Sequence, residues 1–322
     1  MPLRARILST GSYLPPKVVT NDDLAQFIET SDEWIRQRVG IISRHVAEKE
    51  STTDLAFHAA ENALKKLAID PKDIGLIIVA TGTADYLMPS TASLLQHRLG
   101  TKSTPSFDIS AACGGFVYAL DVARQYIENE TVEYALVIGA ERLSRVLDWK
   151  DRSTCVLFGD GAGAVVLGAD QEHGIKASIL HSDGQDLELL NVPNALPKSL
   201  YGQDAETTLL HMQGNKVFKK AVARLSFLAD ELLEKASLNQ SQLDWLVPHQ
   251  ANLRILEATA KKLSLPLSQV IVTLQYHGNT SAASIPLALD HAVNCGKIQS
   301  QQNLLIEAFG AGFVWGGMVL SF

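Results

Sequence analysis

The chain has 322 residues, 46% of them hydrophobic and 20% charged, with 28 basic against 35 acidic side chains for a formal net charge of −7. This is enough apolar material for one large core or two ordinary ones; it excludes a disordered polymer and argues against general nucleic-acid binding. The three cysteines, Cys113, Cys155 and Cys295, form neither a C-x-x-C pair nor a metal-like cluster, so no disulfide framework and no metal site is predicted, and a reducing cytoplasm fits.

The stretch Met1 to Pro16 lacks a long apolar core before any cleavage-like site, so no export signal is expected. The longest apolar run, Ile74 to Ala80, is too short to span a bilayer, so no membrane anchor is expected either. A helix is predicted near Asn21-Asp22-Asp23, capped by Asn21, with Leu24, Phe27 and Ile28 on one face. Trp34 beside Arg38 admits two readings: packing plus a solvated charge, or a flat aromatic surface and a cation that hold an adenine and its phosphates. Ser51 to Ala68 reads as a helix with Leu55, Ala59, Ala63 and Leu67 inward. Leu76 to Ala80 reads as a buried strand, and Met88-Pro89-Ser90 leads into a helix through Leu99.

An extended run, Ser106 to Ile109, then meets Ser110-Ala111-Ala112-Cys113-Gly114-Gly115-Phe116, which opens a helical pattern through Val117, Leu120, Ala123 and Ile127. A cysteine at a strand-to-helix junction faces unpaired backbone N–H groups that favour its thiolate, so Cys113 is a candidate nucleophile; the competing reading is a small buried hydrophobe. Ala135 to Gly139 and Cys155 to Phe158 read as strands. Gly159 to Gly163 reads as a hairpin turn feeding a third strand, Ala164 to Leu167; it is not G-x-G-x-x-G, and no dinucleotide site is predicted. Repeated helix and strand alternation predicts a layered α/β protein.

The two halves of the chain resemble each other. At an offset of 289 − 120 = 169, Leu76-Ile77-Ile78 falls on Trp245-Leu246-Val247 and Ala119-Leu120-Asp121 on Ala288-Leu289-Asp290. A duplicated α/β unit follows, with halves 1–172 and 173–322. Position 113 maps to Ala282, so the second half has no counterpart of the cysteine. It carries Pro248-His249-Gln250-Ala251-Asn252 after one predicted strand and His277-Gly278-Asn279-Thr280-Ser281 before a predicted helix. Cys113, His249 and Asn279 thus sit at element ends, where α/β folds gather their chemistry. His277 rivals His249 on this ground, and Cys155 and Cys295 are expected to be buried and inert.

The segments around Cys113, Pro248 to Asn252 and His277 to Pro286 resemble the three active-site segments of the β-ketoacyl-acyl-carrier-protein synthase III family. The likeness runs from Gly11-Ser12-Tyr13-Leu14-Pro15 to Gly312-Phe313-Val314-Trp315-Gly316. It implies a thiolase-like fold of two duplicated halves in five αβαβα layers, and a cytoplasmic homodimer. It implies decarboxylative Claisen condensation of a short acyl-CoA, acetyl above all, with malonyl-acyl carrier protein, starting type II fatty acid synthesis. Cys113 would be acylated, His249 rather than His277 would pair with Asn279 to stabilise the enolate, and the backbone N–H groups of Cys113 and Ala311 would hold the oxyanion. Ala311 stands where the family often has glycine. No cofactor is implied, acyl-CoA being a substrate. The resemblance further assigns Trp34, Arg38, Arg152, Phe218 and Asn252 to CoA, Lys219, Arg254 and Lys262 to a basic rim for the acidic carrier protein, and Leu87 and Met88 to the acyl pocket, closed from a dimer partner. The alternatives are a relative of secondary metabolism that uses the same acyl-cysteine on another acceptor, and a non-catalytic acyl-binding scaffold.

Overall fold

Two β-sheets, one from each half of the sequence, alternate with three layers of helix in the computed structural model, which describes residues 3–194 and 208–322. The first two residues of the Met1 to Pro16 stretch lie outside these. The first half runs β1 (Arg4–Tyr13), β2 (Val18–Thr20), α1 (Asn21–Ala25), α2 (Asp32–Val39), β3 (Ser43–His45), α3 (Thr52–Leu67), β4 (Ile74–Ala80), α4 (Thr91–Leu99), β5 (Ser106–Ile109), α5 (Gly115–Glu128), β6 (Tyr134–Arg142) and β7 (Asp160–Asp170). The second runs β8 (Gly174–Ser182), β9 (Leu190–Asn191), β10 (His211–Met212), α6 (Gly214–Lys235), β11 (Trp245–Pro248), α7 (Leu253–Lys262), α8 (Leu274–His277), α9 (Ser284–Asn294), β12 (Asn303–Gly310) and β13 (Val314–Ser321).

The first sheet has the order β1-β7-β6-β4-β5 and the second β11-β12-β13-β8. Read backwards, the second repeats the first four places of the first, and a parallel bridge between Leu246 and Val270 stands where β5 pairs with β4. The backbone repeats at the same offset. Ala68 and Ser237 both have φ 54°, and Ala112 and Ser281 have φ 44° and 49°, with 237 − 68 = 281 − 112 = 169.

Three apolar clusters define the layers. Ala59, Ala63 and Leu95 of α3 and α4 pack on one face of the first sheet. Phe116, Leu120, Ile285 and Leu289 of α5 and α9 fill the space between the sheets, and Leu225, Leu232 and Ile255 of α6 and α7 cover the far face of the second. The strands buried on both faces are continuous apolar runs, as central strands between helix layers require. The five-layer arrangement that the resemblance implies is therefore present. No described helix is long and apolar enough to cross a membrane.

Four local expectations change. Thr20, not Asn21, caps α1, through reciprocal bonds with Asp23. Asn21 is buried, where it donates to Asp32 and to the Ile41 carbonyl, and α1 stops at Ala25, leaving Phe27 57% exposed. Cys155 to Leu157 is a turn rather than a strand, Phe158 makes a single bridge to Asn279, and Gly161 and Gly163 lie inside β7. They are there for space: a Cβ on Gly163 would stand 2.6 Å from the Leu287 nitrogen of α9. Cys155 is buried, as expected, but Cys295 is exposed, since it ends α9 and lies beyond its packed turns.

Candidate active site

Cys113 sits in a one-turn 3-10 segment, Ala112–Gly114, between β5 and α5. The turn is held from below by the buried Phe116, Val117 and Leu120 of α5, and from the side by the end of β12. A Cβ on Gly310 would lie 2.7 Å from the Cys113 nitrogen, so only glycine lets the two backbones approach this closely. The equivalent turn of the second half, Ser281–Ala283, faces it, admitted by Gly139, whose added Cβ would stand 2.2 Å from the Ala282 carbonyl oxygen. Ser281 Oγ lies 3.3 Å from Cys113 Sγ. Both turns open on a non-glycine residue with positive φ, a strained conformation that clusters at functional sites.

His249 follows β11, its N–H donating to the Glu307 carbonyl at 2.8 Å. Its ring is nearly buried, and Nδ1 is 2.6 Å from Ser284 Oγ. That oxygen also accepts the Gln250 N–H at 3.3 Å; in the tautomer in which the Ser284 hydroxyl donates to Nδ1, the imidazole hydrogen is on Nε2. Asn279 is held by backbone bonds to Leu157 and Gly159, and its Oδ1 accepts the Ser281 N–H at 2.9 Å, so its NH2 is the end left to donate. His277, the rival histidine, is half-buried between His45 and His291 and does not line this cavity.

Cys113, His249 and Asn279 line one cavity of about 700 Å³, together with Ala311, Trp34, Arg38, Arg152, Phe218, Asn252 and Arg254. The left-handed backbone of the last loop falls on Gly312, φ 143°, and not on Ala311, so alanine is accommodated there without strain. Arg38 and Arg152 both lie over the Trp34 ring, at 4.9 and 5.2 Å from its centre. An adenine between Trp34 and Arg152 needs about 7 Å, twice a van der Waals contact, so Arg152 has to swing aside to admit one. Asn252 caps α7 by accepting the Arg254 N–H. Lys219 and Lys262 are exposed on α6 and α7 and do not line the cavity. Leu87 and Met88, placed in the acyl pocket by resemblance, do not line this chain's own cavity: they are 72% and 83% exposed on the segment before α4.

Burial sets the electrostatics. The His249 imidazole is pushed down to about 3, so it is neutral. The Cys113 thiol is pushed up to about 12 by burial, its hydrogen bond with Ser281 only partly offsetting this, a direction opposite to that expected from the helix start alone. A helix start favours an anion, but here loss of water outweighs it. Glu141, at the end of β6 and on the same cavity, is pushed up to about 7 by burial, although it accepts from Thr83 Oγ1 at 2.6 Å and from the Gly82 N–H at 3.2 Å. Ser281, Ser284 and Glu141 carried no assigned role in the sequence. The two serines stand within the motif around Asn279, and Glu141 is marked only as a charge closing an apolar strand. Among the described residues, no group of three or more His, Cys, Asp or Glu side chains is arranged to hold a metal ion.

Two family models match: 3-oxoacyl-[acyl-carrier-protein] synthase III over residues 107–184, and the C-terminal part of the same over residues 233–322. A β-ketoacyl-[acyl-carrier-protein] synthase III of Xylella fastidiosa (strain 9a5c) is 53% identical over 319 residues, covering 99% of this chain and 98% of the relative. Among solved structures, 3-oxoacyl-[acyl-carrier-protein] synthase III from Aquifex aeolicus VF5 superposes with a TM-score of 0.94 at 44% identity, covering 99% of this chain and 100% of the other. The priming β-ketosynthase of the R1128 polyketide biosynthetic pathway superposes with a TM-score of 0.95 at 36% identity, covering 100% and 98%.

Proposed function

Since the chain belongs to the β-ketoacyl-[acyl-carrier-protein] synthase III family, we propose that its cavity carries out a two-stage condensation with Cys113 as the acyl carrier and His249 and Asn279 as the decarboxylation pair. The protein is an acyl-transferring condensing enzyme that joins an acyl-CoA to malonyl-acyl carrier protein and so starts fatty acid synthesis. In the first stage Cys113 Sγ attacks the thioester carbonyl, the N–H groups of Cys113 and Ala311 receive the oxyanion, and CoA leaves. In the second, malonyl-acyl carrier protein takes the vacated tunnel past Phe218 and Asn252. Carbon dioxide departs, the enolate oxygen is held by Nε2–H of His249 and the NH2 of Asn279, and the carbanion attacks the acyl-Cys113 carbonyl. No cofactor enters this scheme, and acyl-CoA is consumed as substrate.

The observation that carries this reading is that both partners are presented as donors. With the Ser284 hydroxyl donating to Nδ1 of a neutral His249, and with the Ser281 N–H on Oδ1 of Asn279, two hydrogens are left for one developing oxyanion on the cavity that holds Cys113. Short primers, with acetyl-CoA first, are our reading of the substrate. Arg254, Lys219 and Lys262 would steer the acidic carrier protein, an effect on encounter rate and salt dependence. The exposed run Tyr86, Leu87 and Met88, at 60%, 72% and 83%, supports a homodimer in which each copy closes its partner's acyl pocket, working in the cytoplasm. A role on another acceptor in secondary metabolism is the weaker reading, since the synthase III relatives reach 53% identity and the polyketide priming enzyme 36%.

The test is label transfer from acetyl-CoA to Cys113, followed by malonyl-acyl carrier protein and measurement of carbon dioxide. Asn279→Ala is expected to keep acylation and to lose decarboxylation by about 10²-fold, the usual cost of removing one such donor. Equal loss of both stages would contradict the division of roles, and label without condensation would favour the secondary-metabolism reading.

A further inference from the structure

The scheme above leaves the Cys113 proton without a destination. Burial pushes the Cys113 thiol up and the His249 imidazole down, which makes the imidazole a weak base, while the Glu141 carboxyl is pushed up to about 7. Two groups to which the resemblance gives no role stand beside the sulfur, one in contact with it and one behind. Ser281 Oγ is 3.3 Å from Sγ, and the same side chain hydrogen-bonds the Glu141 carboxyl, which is 1% exposed and borders the same cavity.

We propose that Ser281 and Glu141 form the route by which Cys113 loses its proton, with the Ser281 hydroxyl relaying it and the Glu141 carboxylate receiving it. The inference rests on the reading of Cys113 as the nucleophile. A serine hydroxyl has one hydrogen and two lone pairs, so it can accept from the S–H while donating to a carboxylate oxygen. The thiol proton passes to Ser281 Oγ as the hydroxyl proton passes to Glu141, giving a thiolate, an intact serine and a carboxylic acid. One negative charge stands in the buried group before and after, so charge is moved rather than created in a dry site. The thiolate then forms its bond to the thioester carbon. When the tetrahedral species collapses, the bond to the CoA sulfur breaks and that sulfur takes the proton back from Glu141 through Ser281. The enzyme is left acylated, with Glu141 ionised as at the start.

The surroundings of Glu141 suit a group poised between its two states. From the end of β4 it meets Thr81, the Gly82 N–H and Thr83 Oγ1, at 3.5, 3.2 and 2.6 Å. From the facing turns it meets the Ser281 hydroxyl, the Ala282 N–H and Cys113. None of these is a cation that would lock it ionised. Its neighbour Arg142 turns away, donating to the carbonyls of Ala47 and Glu48 at 3.3 and 3.4 Å. Glu141 acts on the sulfur only through Ser281, which is the group in direct contact.

The test compares Glu141→Gln, Glu141→Asp and Ser281→Ala in three measurements: single-turnover acylation from acetyl-CoA between pH 5.5 and 9, alkylation of Cys113 by iodoacetamide over the same range, and decarboxylation of malonyl-acyl carrier protein by the unacylated enzyme. Acylation and alkylation by the wild type are expected to rise through an ionisation near 7. In Glu141→Gln and Ser281→Ala both should slow by about 10²-fold and lose that ionisation, while decarboxylation stays within about threefold. Glu141→Asp should keep the ionisation at a reduced rate. A Glu141→Gln enzyme with the wild-type rate and pH profile would overturn the proposal, and so would equal losses in all three measurements, the mark of a purely structural role. Should Glu141→Gln fail to fold, Ser281→Ala decides by the same two criteria. A wild type that is alkylated with this profile but takes no label from acetyl-CoA would sink the functional reading and leave the relay standing.

Discussion

Gly310→Ala separates the geometry of the nucleophile from the stability of the fold. The glycine has no positive φ, so alanine meets no backbone strain there, and the only change is one methyl group. Its three nearest neighbours would all be atoms of Cys113: N at 2.7 Å, Cβ at 3.0 Å and Cα at 3.2 Å, against 3.4–4 Å for ordinary contact. The 3-10 turn must therefore retreat by about 0.7 Å, and the sulfur and the Cys113 N–H retreat with it. Overpacking of this size costs about 1–3 kcal/mol, less than the stability of an ordinary domain, so the variant stays folded. A displacement approaching 1 Å at the reacting atoms costs about 10²-fold in rate. Single-turnover labelling of Cys113 from acetyl-CoA should fall by that factor. Malonyl decarboxylation by the unacylated enzyme, which depends on His249 and Asn279, should stay within about threefold. Gly184→Ala, where an added Cβ has nothing within 4 Å, is the matched control and should be neutral in both assays and in thermal unfolding. Wild-type labelling by Gly310→Ala would refute the reasoning, as would a loss no larger than its loss of folded fraction.

Trp34→Ala should raise KM for acetyl-CoA by about tenfold with kcat little changed, since stacking of a base on an aromatic ring is worth about 1–3 kcal/mol; a fall in kcat with KM unchanged would place Trp34 outside the nucleotide site. Glu307, fully buried on β12 and without a protein partner for either oxygen, is pushed up to about 8 from an ordinary 4.5. The folded chain keeps that proton where the unfolded chain has lost it, so its contribution to stability falls as pH rises from 4.5 through 8, by on the order of 2 kcal/mol between pH 6 and 8.5. The thermal midpoint should drop by several degrees over that interval, and Glu307→Gln should flatten the drop, the residue belonging to Glu141; an unchanged slope in the variant would contradict this.

What was legible in the sequence and what was not divide along the range of the interactions concerned. The α/β alternation, the strand-to-helix placement of Cys113 and the offset of 169 rest on local patterns, and the strand orders and paired positive φ values repeat at that offset. The thiolate at Cys113 is a local argument too, from the helix start, and it leaves out burial, which is set by residues far away in the chain and pushes the thiol up. Ser284 gains its meaning from His249, 35 positions away, and Ser281 from Cys113, 168 positions away, and nothing in their neighbours' identities marks either hydroxyl. Leu87 and Met88 lie exposed and outside the chain's own cavity, so their place in an acyl pocket comes only with a second copy.

The duplication explains why these particular partners meet. Each half turns through a non-glycine residue with positive φ, at Ala112 after β5 and at Ser281 after α8, and starts a helix packed between the sheets. In the first copy the left-handed position is a plain alanine and the next residue carries the sulfur. In the second the left-handed position carries a hydroxyl, and the next residue is Ala282, with no reactive group. Two copies of one turn, facing each other and offset by one residue in where they place a functional side chain, bring a thiol and a hydroxyl to 3.3 Å. An alanine at position 281 would leave Cys113 with no hydroxyl partner from the opposite turn. The asymmetry between the copies, rather than the repeat itself, is thus what the chemistry depends on.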